Sequence, residues 1–262
     1  MAWSNRKIGF TELKSFLDEK ADQFNAPDFI ATDPIQVPHQ FSNPADIEIS
    51  AFLTATIAWG QKPTIIRNAI KLLSWMPGGP HEFILNAEQE ALTKFLPFVH
   101  RTFNGIDCIY FLKALGNIYR HHGGLRQLFE SEYALHGDLF RSMVNFREVF
   151  FRAVPPGRTA KHLANIDKGA SGKRLNMFLR WMVRRDKKGV DFGIWEGIPM
   201  HALFIPLDVH TGTVARKIGL LERKQNDWKA VTELTGRLRE FDPEDPVRYD
   251  FALFGLGSFE KF

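Results

Sequence analysis

The chain has 262 residues, of which 44% are hydrophobic and 24% charged, and it contains 24 phenylalanines. This composition can build a packed core, so it excludes an intrinsically disordered protein, and the length suits one large domain or two lobes. The single cysteine, Cys108, excludes an internal disulfide framework and a metal site built from four cysteines. We therefore expect neither a structural metal nor a cofactor.

The longest apolar runs are short and interrupted by charges, which argues against a membrane span. The first residues, Met1 to Lys7, lack the apolar stretch and the small-residue cleavage site of a secretory signal. We therefore expect a cytoplasmic protein that has no membrane partner.

The net charge is only +4, but it is unevenly distributed. Between residues 158 and 189 the sequence has ten basic side chains and two acidic ones, so this segment carries +8 and the rest of the chain −4. The basic residues are Arg158, Lys161, Lys168, Lys173, Arg174, Arg180, Arg184, Arg185, Lys187 and Lys188. Such clustering is expected of a surface that binds a polyanion, although a solvated basic face would have the same composition.

The first 42 residues are predicted to form one helix followed by an extended arm, because prolines recur at positions 27, 34 and 38. The run Asn43-Pro44-Ala45-Asp46 then has the features of a helix start: a capping asparagine, a proline suited to the first turn, and an acid at the positive end. The helix is predicted to continue through residue 59 and to stop at Gly60.

A second apolar helix is predicted from Asp107 to His121, followed by two glycines, and we interpret His121 and His122 as its end rather than as metal ligands. The last helix is predicted to start at Asp245-Pro246 and to reach Gly257. Residues 187–199 contain three glycines and a proline, which predicts a loop between two helices. Because alternating strand patterns are scarce, we predict an all-α fold.

A turn rich in small residues precedes a helix in the segment Gly169-Ala170-Ser171-Gly172-Lys173. Leu175, Phe178 and Leu179 form an apolar stripe on that helix, and Lys173, Arg180 and Arg184 are predicted to lie on its opposite face. Such a turn exposes backbone N–H groups that, with the helix dipole, attract phosphate. By itself, this segment fits a phosphate-binding hairpin and a plain helix-turn-helix equally well.

A second segment, Pro206-Leu207-Asp208-Val209-His210, places an aspartate at the start of a helix that is predicted to close at Gly219. An aspartate in this position can simply cap the helix. By the same reasoning, Lys173 alone can be an exposed lysine in a first helical turn.

Taken together, the two segments resemble the core of the helix-hairpin-helix DNA glycosylase superfamily. Its members carry a Gly-x-Gly-x-Lys hairpin followed by a Val-Asp-x-His helix start. The Trp59-Gly60-Gln61 segment resembles the element whose glutamine fills the gap left by an extruded base, and residues 250–257 resemble the final core helix. The likeness covers residues 43–258, and the most similar branch is the 8-oxoguanine glycosylases.

The resemblance implies a two-lobed helical fold with the active site between the lobes. In domain terms, it implies an arm (1–42), a glycosylase-like domain (43–258) whose hairpin spans about residues 163–185, and a tail (259–262). It also implies a monomeric, nucleoid-associated enzyme whose partner is double-stranded DNA containing a damaged base. The enzyme would remove an oxidised purine such as 8-oxoguanine and then cleave the strand by β-elimination.

The resemblance also implies roles for individual residues. Lys173 would attack the sugar and form a Schiff base, and Asp208 would stabilise the positive charge that develops as the base leaves. The DNA-binding residues would be Gly169, Ser171, Gly172, Arg174, His210 and Gln61. Trp59, Trp181 and Trp195 are expected in the core or at an interface, with one of them available to stack on the extruded base.

Three departures from the family pattern stand out. Ser171 replaces the second hairpin glycine, which is displaced to Gly172, and Asp167 occupies a position that is commonly apolar. The separation between Lys173 and Asp208, 208 − 173 = 35 residues, is also longer than usual, and the 187–199 loop accounts for it. The alternative is therefore a non-catalytic helix-hairpin-helix DNA-binding protein, and a module directed to RNA or protein is a third hypothesis.

Overall fold

The computed structural model describes residues 9–152, 157–260 and 262. These residues form thirteen α-helices and one hairpin of two short strands, which confirms the predicted all-α fold. The first nine helices are α1 (Phe10–Phe24), α2 (Pro27–Thr32), α3 (Pro44–Thr56), α4 (Lys62–Ser74), α5 (Pro80–Asn86), α6 (Gln89–Thr93), α7 (Gly105–His121), α8 (Gly124–His136) and α9 (Leu139–Arg152). The last four are α10 (Lys173–Val183), α11 (Val209–Lys217), α12 (Trp228–Phe241) and α13 (Tyr249–Ser258).

The strands β1 (Val99–His100) and β2 (Phe103–Asn104) are antiparallel, with Val99 opposite Asn104. Short 3-10 helices span Pro34–Gln36, Pro38–Gln40, Gly157–His162, Met200–Ala202 and Pro246–Arg248. Among the described residues, none of the helices combines the length and the apolar character that a bilayer crossing requires.

The helix starts follow from local capping. Asn43 accepts a hydrogen bond from the amide of Ala45 at 2.9 Å and caps α3, as predicted. The helix ends at Thr56, earlier than expected, because Ile57 leaves the helical region of backbone space. Asn104 and Asp107 form a reciprocal capping box, so α7 begins two residues before the predicted start.

The prediction of an extended arm was wrong. Pro27, Pro34 and Pro38 each open a helical segment, because the fixed φ of proline suits the first helical position and its missing N–H costs nothing there. Asp33 supports the second of these segments by accepting a hydrogen bond from the amide of Ile35 at 3.2 Å. Likewise, Pro246 opens a 3-10 turn, and the last helix starts only at Tyr249.

The chain divides into two compact units. The hairpin unit comprises the described residues up to 29, residues 166–193 and residues 199–262. The aromatic unit comprises residues 30–165 and 194–198. The segments that contain Lys173 and Asp208 both belong to the hairpin unit.

The core of the hairpin unit joins α1, α11, α12 and α13 through aliphatic side chains such as Leu17, Val214, Leu234 and Leu253. Helix α10 is buried on all sides, since nine consecutive residues, 175–183, are inaccessible. A helix that is buried all round lies inside its unit rather than on the surface. Polar side chains on α10 therefore need partners within the protein.

The core of the aromatic unit is built from phenylalanine rings on α3, α7 and α9. Phe52 contacts the rings of Phe111, Phe146 and Phe150 at centroid distances of 5.5–6.0 Å. The Trp195 indole donates to Glu48 Oε1 at 3.0 Å, and burial raises the pKa of that carboxyl. Trp195, which lies in the 187–199 loop, is therefore part of this core.

Candidate active site

The hairpin turn depends on two glycines with left-handed backbone angles. Gly169 has φ of +88° and Gly172 has φ of +63°, whereas Ser171 has no such angle. Gly172 is also the residue that precedes α10. The displaced glycine therefore lies where a side chain would be strained, and Ser171 occupies a position that any residue can adopt.

Both sides of this turn are held in place. The Trp228 amide donates to the carbonyl of Gly169 at 2.9 Å, and Asn176 Nδ2 donates to the carbonyl of Ser171 at 3.2 Å. Gly172, at the cap position of α10, has no side chain that could cap the helix. The carbonyl groups of Gly169 and Ser171 are therefore both engaged within the hairpin unit.

Lys173 and Asp208, the predicted catalytic pair, lie together. Lys173 is the first residue of α10, and Asp208 caps α11 by accepting the amide of Thr211 at 2.9 Å. The Nζ atom of Lys173 is 3.7 Å from Asp208 Oδ2, and the two side chains are 28% and 19% exposed. An amine and a carboxylate therefore meet at a partly accessible position near two helix N-termini.

A second carboxylate of the hairpin unit, Asp250, was not predicted. It is buried at the start of α13 and forms an ion pair with Arg180, whose NH1 lies 2.5 Å from Asp250 Oδ2. The pKa of Asp250 is raised to about 6, chiefly by burial and also by the charge of Asp208, while the charges of Arg180 and Lys173 oppose the rise. The Asp250 carboxyl is thus electrostatically coupled to both predicted catalytic groups.

The expectation of a basic face on α10 was wrong for Arg180 and Arg184. Both are buried, with 4% and 2% exposure. Asp191 accepts from both guanidinium groups, at 3.2 Å from Arg180 and 3.1 Å from Arg184. Their charges are therefore neutralised inside the unit and do not contribute to a surface that binds a polyanion.

Arg184 is surrounded by further carboxylates. It pairs with Asp186 at 2.8 Å and with Asp245 at 2.9 Å. Burial alone would lower the pKa of the Arg184 guanidinium, but Asp191, Asp245 and Asp186 outweigh it and raise that pKa. Burial raises the pKa of Asp245 although Arg184 opposes the rise.

The remaining predicted residues occupy different environments. Arg174, next to Lys173, is largely buried, and burial lowers its pKa to about 10, which leaves it charged at neutral pH. His210 is exposed in the first turn of α11, close in sequence to Asp208. Gln61 is exposed and precedes α4 in the aromatic unit.

The tryptophans are mostly structural. Of the three tryptophans expected in the core or at an interface, Trp181 and Trp195 are fully buried and Trp59 is partly exposed. The Trp59 ring lies nearly parallel to the ring of His162 at 6.0 Å. In the part of the chain that the structure describes, no group of three or more His, Cys, Asp or Glu side chains could hold a metal ion.

The arrangement in the hairpin unit fits nucleophilic and proton-transfer chemistry. A lysine amine attacks a carbon centre once it is neutral, and a nearby carboxylate can stabilise positive charge or move a proton. Asp250 and Arg180 would have been hard to find from sequence, since 250 − 180 = 70 residues separate them. The one local indication was an aspartate at the head of an otherwise apolar final helix.

Comparison with other proteins places the chain in a family. No curated protein and no solved structure matches it. A family model with the description "Protein of unknown function (DUF2400)" matches residues 33–259, a span that includes the hairpin, Lys173, Asp208 and Asp250. The chain therefore belongs to the DUF2400 family.

Proposed function

We propose that this protein is a helix-hairpin-helix DNA glycosylase with β-lyase activity, which removes an oxidised purine such as 8-oxoguanine from duplex DNA. The observation that carries the proposal is the 3.7 Å approach of the Lys173 amine to the Asp208 carboxylate. These residues are 35 positions apart in the chain, and each stands at the start of a helix.

The proposed reaction uses the two groups in sequence. The neutral amine of Lys173 attacks the sugar C1′ atom while the bond from C1′ to the base breaks, and the base leaves with the electron pair and takes up a proton. Asp208 stabilises the positive charge on the sugar during this step. Opening of the sugar ring gives a Schiff base on Lys173, and loss of a 2′ proton then expels the 3′ phosphate.

The hairpin would position the DNA. The backbone N–H groups at the start of α10, which follows Gly172, can donate to a phosphate, aided by the helix dipole. Arg174 adds positive charge next to this position, and the exposed His210 ring can contact a second phosphate. Such contacts hold the duplex without reading its sequence.

The test is borohydride trapping on three duplexes that carry 8-oxoguanine, an abasic site or no lesion. We expect a covalent adduct on the 8-oxoguanine duplex that disappears in Lys173→Gln. Asp208→Asn should retain DNA binding and lose base removal. Lys94→Gln is the matched control, because it removes an exposed lysine to which the proposal assigns neither a chemical nor a DNA-binding role.

The outcomes separate the alternatives. Trapping on the abasic duplex alone would support the lyase activity. It would also mean that the enzyme removes a damaged base other than 8-oxoguanine. Binding to duplex DNA without any adduct would favour a non-catalytic helix-hairpin-helix protein. Preference for RNA in a competition assay would contradict both readings.

A further inference from the structure

The loop between α11 and α12, residues 218–227, contacts both segments that carry the candidate catalytic pair. On the hairpin side, Asp227 forms an isolated antiparallel bridge with Ala170. The amide of Trp228, the first residue of α12, donates to the Gly169 carbonyl at 2.9 Å. The end of the loop is therefore fixed to the turn that leads into α10.

On its other side, the loop reaches the start of α11 through Asn226. The Nδ2 atom of Asn226 donates to the Asp208 carbonyl at 3.0 Å, and its Oδ1 atom accepts from Arg216 NH2 at 2.5 Å. The Arg216 guanidinium also donates, through Nε, to the Arg223 carbonyl at 2.8 Å. Because a guanidinium only donates and a carbonyl only accepts, these two partners fix the orientation of the Asn226 amide.

The bond from Asn226 is an additional one for the Asp208 carbonyl. That carbonyl already accepts the first helical hydrogen bond of α11, from the Gly212 amide at 2.9 Å. The carboxylate of Asp208 separately accepts from the Thr211 amide. The carbonyl thus has a partner without Asn226, so the contact is better explained by what it holds in place, which is the residue at the head of α11.

Helix α11 leaves space for this contact at Gly212. A Cβ atom at this position would lie 2.8 Å from Asn226 Oδ1 and 2.8 Å from Arg216 NH1. Glycine disfavours a helix relative to alanine, and Gly212 has no left-handed backbone angle that would call for it. The close approach of Asn226 and Arg216 therefore accounts for the glycine.

Building on the proposed function, we propose that Asn226 is a positioning residue for Asp208: it ties the start of α11 to the loop that also holds the hairpin turn, and so maintains the approach of the Asp208 carboxylate to the Lys173 amine. The two groups are 3.7 Å apart and belong to different helix starts. Their separation thus depends on what fixes one helix start relative to the other. Asn226 acts on the reaction only through Asp208.

Hydrogen exchange at the Thr211 amide, followed by NMR, measures the positioning without DNA. Because this amide donates to the Asp208 carboxylate, its protection reports how firmly Asp208 is held. In Asn226→Ala its protection factor should fall about three- to tenfold, the effect of losing one hydrogen bond, while buried amides of α13 keep theirs. Unchanged protection of Thr211, or an equal fall in α13, would overturn the proposal.

Single-turnover kinetics on the 8-oxoguanine duplex, with protein in excess, measure the effect on the reaction. At saturating protein, Asn226→Ala should slow base removal about 100-fold, as expected when a catalytic group is misplaced by about 1 Å. The Kd for the duplex should stay the same, because Asn226 is given no contact with DNA. A loss of stability alone would lower the amount of reacting protein and not its rate constant.

Gln225→Ala is the matched control, because it removes an exposed amide side chain from the neighbouring position of the same loop. We expect its Thr211 protection and its rate constant to equal those of the unsubstituted protein. Equal slowing in Gln225→Ala and Asn226→Ala would show that the loop as a whole, and not the Asn226 amide, matters.

Gly212→Ala covers the case in which Asn226→Ala does not fold. The added methyl group would displace the Asn226 amide, although alanine favours the helix. This variant should therefore react more slowly and protect Thr211 less, and unchanged values of both would overturn the inference.

The inference and the proposed function fail separately. If the unsubstituted protein removes no base and forms no adduct, the proposed function is overturned, and the exchange measurement still decides whether Asn226 holds Asp208. If the unsubstituted protein is active and Asn226→Ala reacts at the same rate, the inference about Asn226 alone is overturned.

Discussion

At the scale of single residues, the carboxyl group of Asp250 shows how burial controls ionisation. Its pKa rises to about 6 because burial disfavours the charged form, even though Arg180 lies within hydrogen-bonding distance. A neighbouring acid, Asp208, caps a helix and remains partly exposed. Two carboxyls of one site are therefore placed in different surroundings, as in enzymes that need an acid and a base of the same residue type.

The raised pKa of Asp250 predicts a pH dependence of stability. The folded protein binds this proton more tightly than the unfolded chain, in which an aspartate has a pKa of about 3.9. The stability that the proton contributes is complete below that value and is lost as the pH rises through about 6. The free energy of unfolding, relative to that of Asp250→Asn, should therefore fall by about 2–3 kcal/mol between pH 4 and 7.

Urea unfolding of both proteins across this pH range provides the measurement. A difference between the two proteins that stays constant with pH would show that folding leaves the ionisation of Asp250 unperturbed. The same comparison with Asp245→Asn gives the effect on unfolding of removing another buried acid, one that pairs with Arg184.

Sequence reasoning identified Lys173 and Asp208 because each stands in a recognisable local pattern. It missed the pairing of Arg180 with Asp250 because the two positions are remote in the chain. It also assigned Arg180 and Arg184 to a surface, since helical periodicity gives the face of a side chain but not what covers that face. The charge of a residue can be read from the sequence, whereas its ion-pair partner cannot.

At the scale of elements, the approach of α13 to α1 depends on a glycine. A Cβ atom on Gly255 would lie 2.1 Å from the Phe24 ring. Gly236 on α12 has no atom within 4 Å of the corresponding position and is exposed. Gly255 is therefore tightly packed against Phe24, whereas Gly236 has space for a methyl group.

Substitution of each glycine by alanine should have opposite effects. Gly255→Ala should lower the free energy of unfolding by about 1–3 kcal/mol, because the methyl group overpacks the contact with Phe24. Gly236→Ala should raise it by up to about 1 kcal/mol through helix propensity. Chemical denaturation measures both, and equal effects at the two positions would contradict the tight packing of α13 on α1.

Some elements were predictable to within a few residues. The cap at Asn43 gives the start of α3, and the run from Asp107 to the glycines after His121 gives most of α7. The prolines of the first 42 residues misled the prediction, since the same residue breaks a helix from within and opens one at its first turn. Asp33 caps the segment that Pro34 opens, but Pro38 opens its segment without a side-chain cap, so the preceding residue alone does not decide between the two.

At the scale of the whole molecule, the cluster of ten basic residues between positions 158 and 189 divides into two groups. Arg180 and Arg184 are buried against carboxylates, whereas Lys168 is exposed in the hairpin turn. Net charge alone thus overstates the basic surface of this segment. Of the other basic residues in the hairpin unit, Lys168, Lys173 and Arg174 lie at the start of α10, whereas Arg185, Lys187 and Lys188 follow its end.

The salt dependence of DNA binding tests this division. Each phosphate contact adds roughly one to the slope of log affinity against log salt concentration. Lys168→Ala should therefore reduce that slope by about one on an undamaged duplex. Lys94→Ala, an exposed lysine of the aromatic unit, should leave it unchanged. Equal slopes in all three proteins would show that the hairpin turn makes no phosphate contact through Lys168.

The most direct test of the central claim is to identify the residue that becomes attached to DNA. The protein is trapped with borohydride on an 8-oxoguanine duplex, digested with a protease and nuclease, and mapped by mass spectrometry. We expect the sugar remnant on Lys173. A remnant on any other lysine or on the chain's terminal amine would contradict the assignment of Lys173 as the nucleophile.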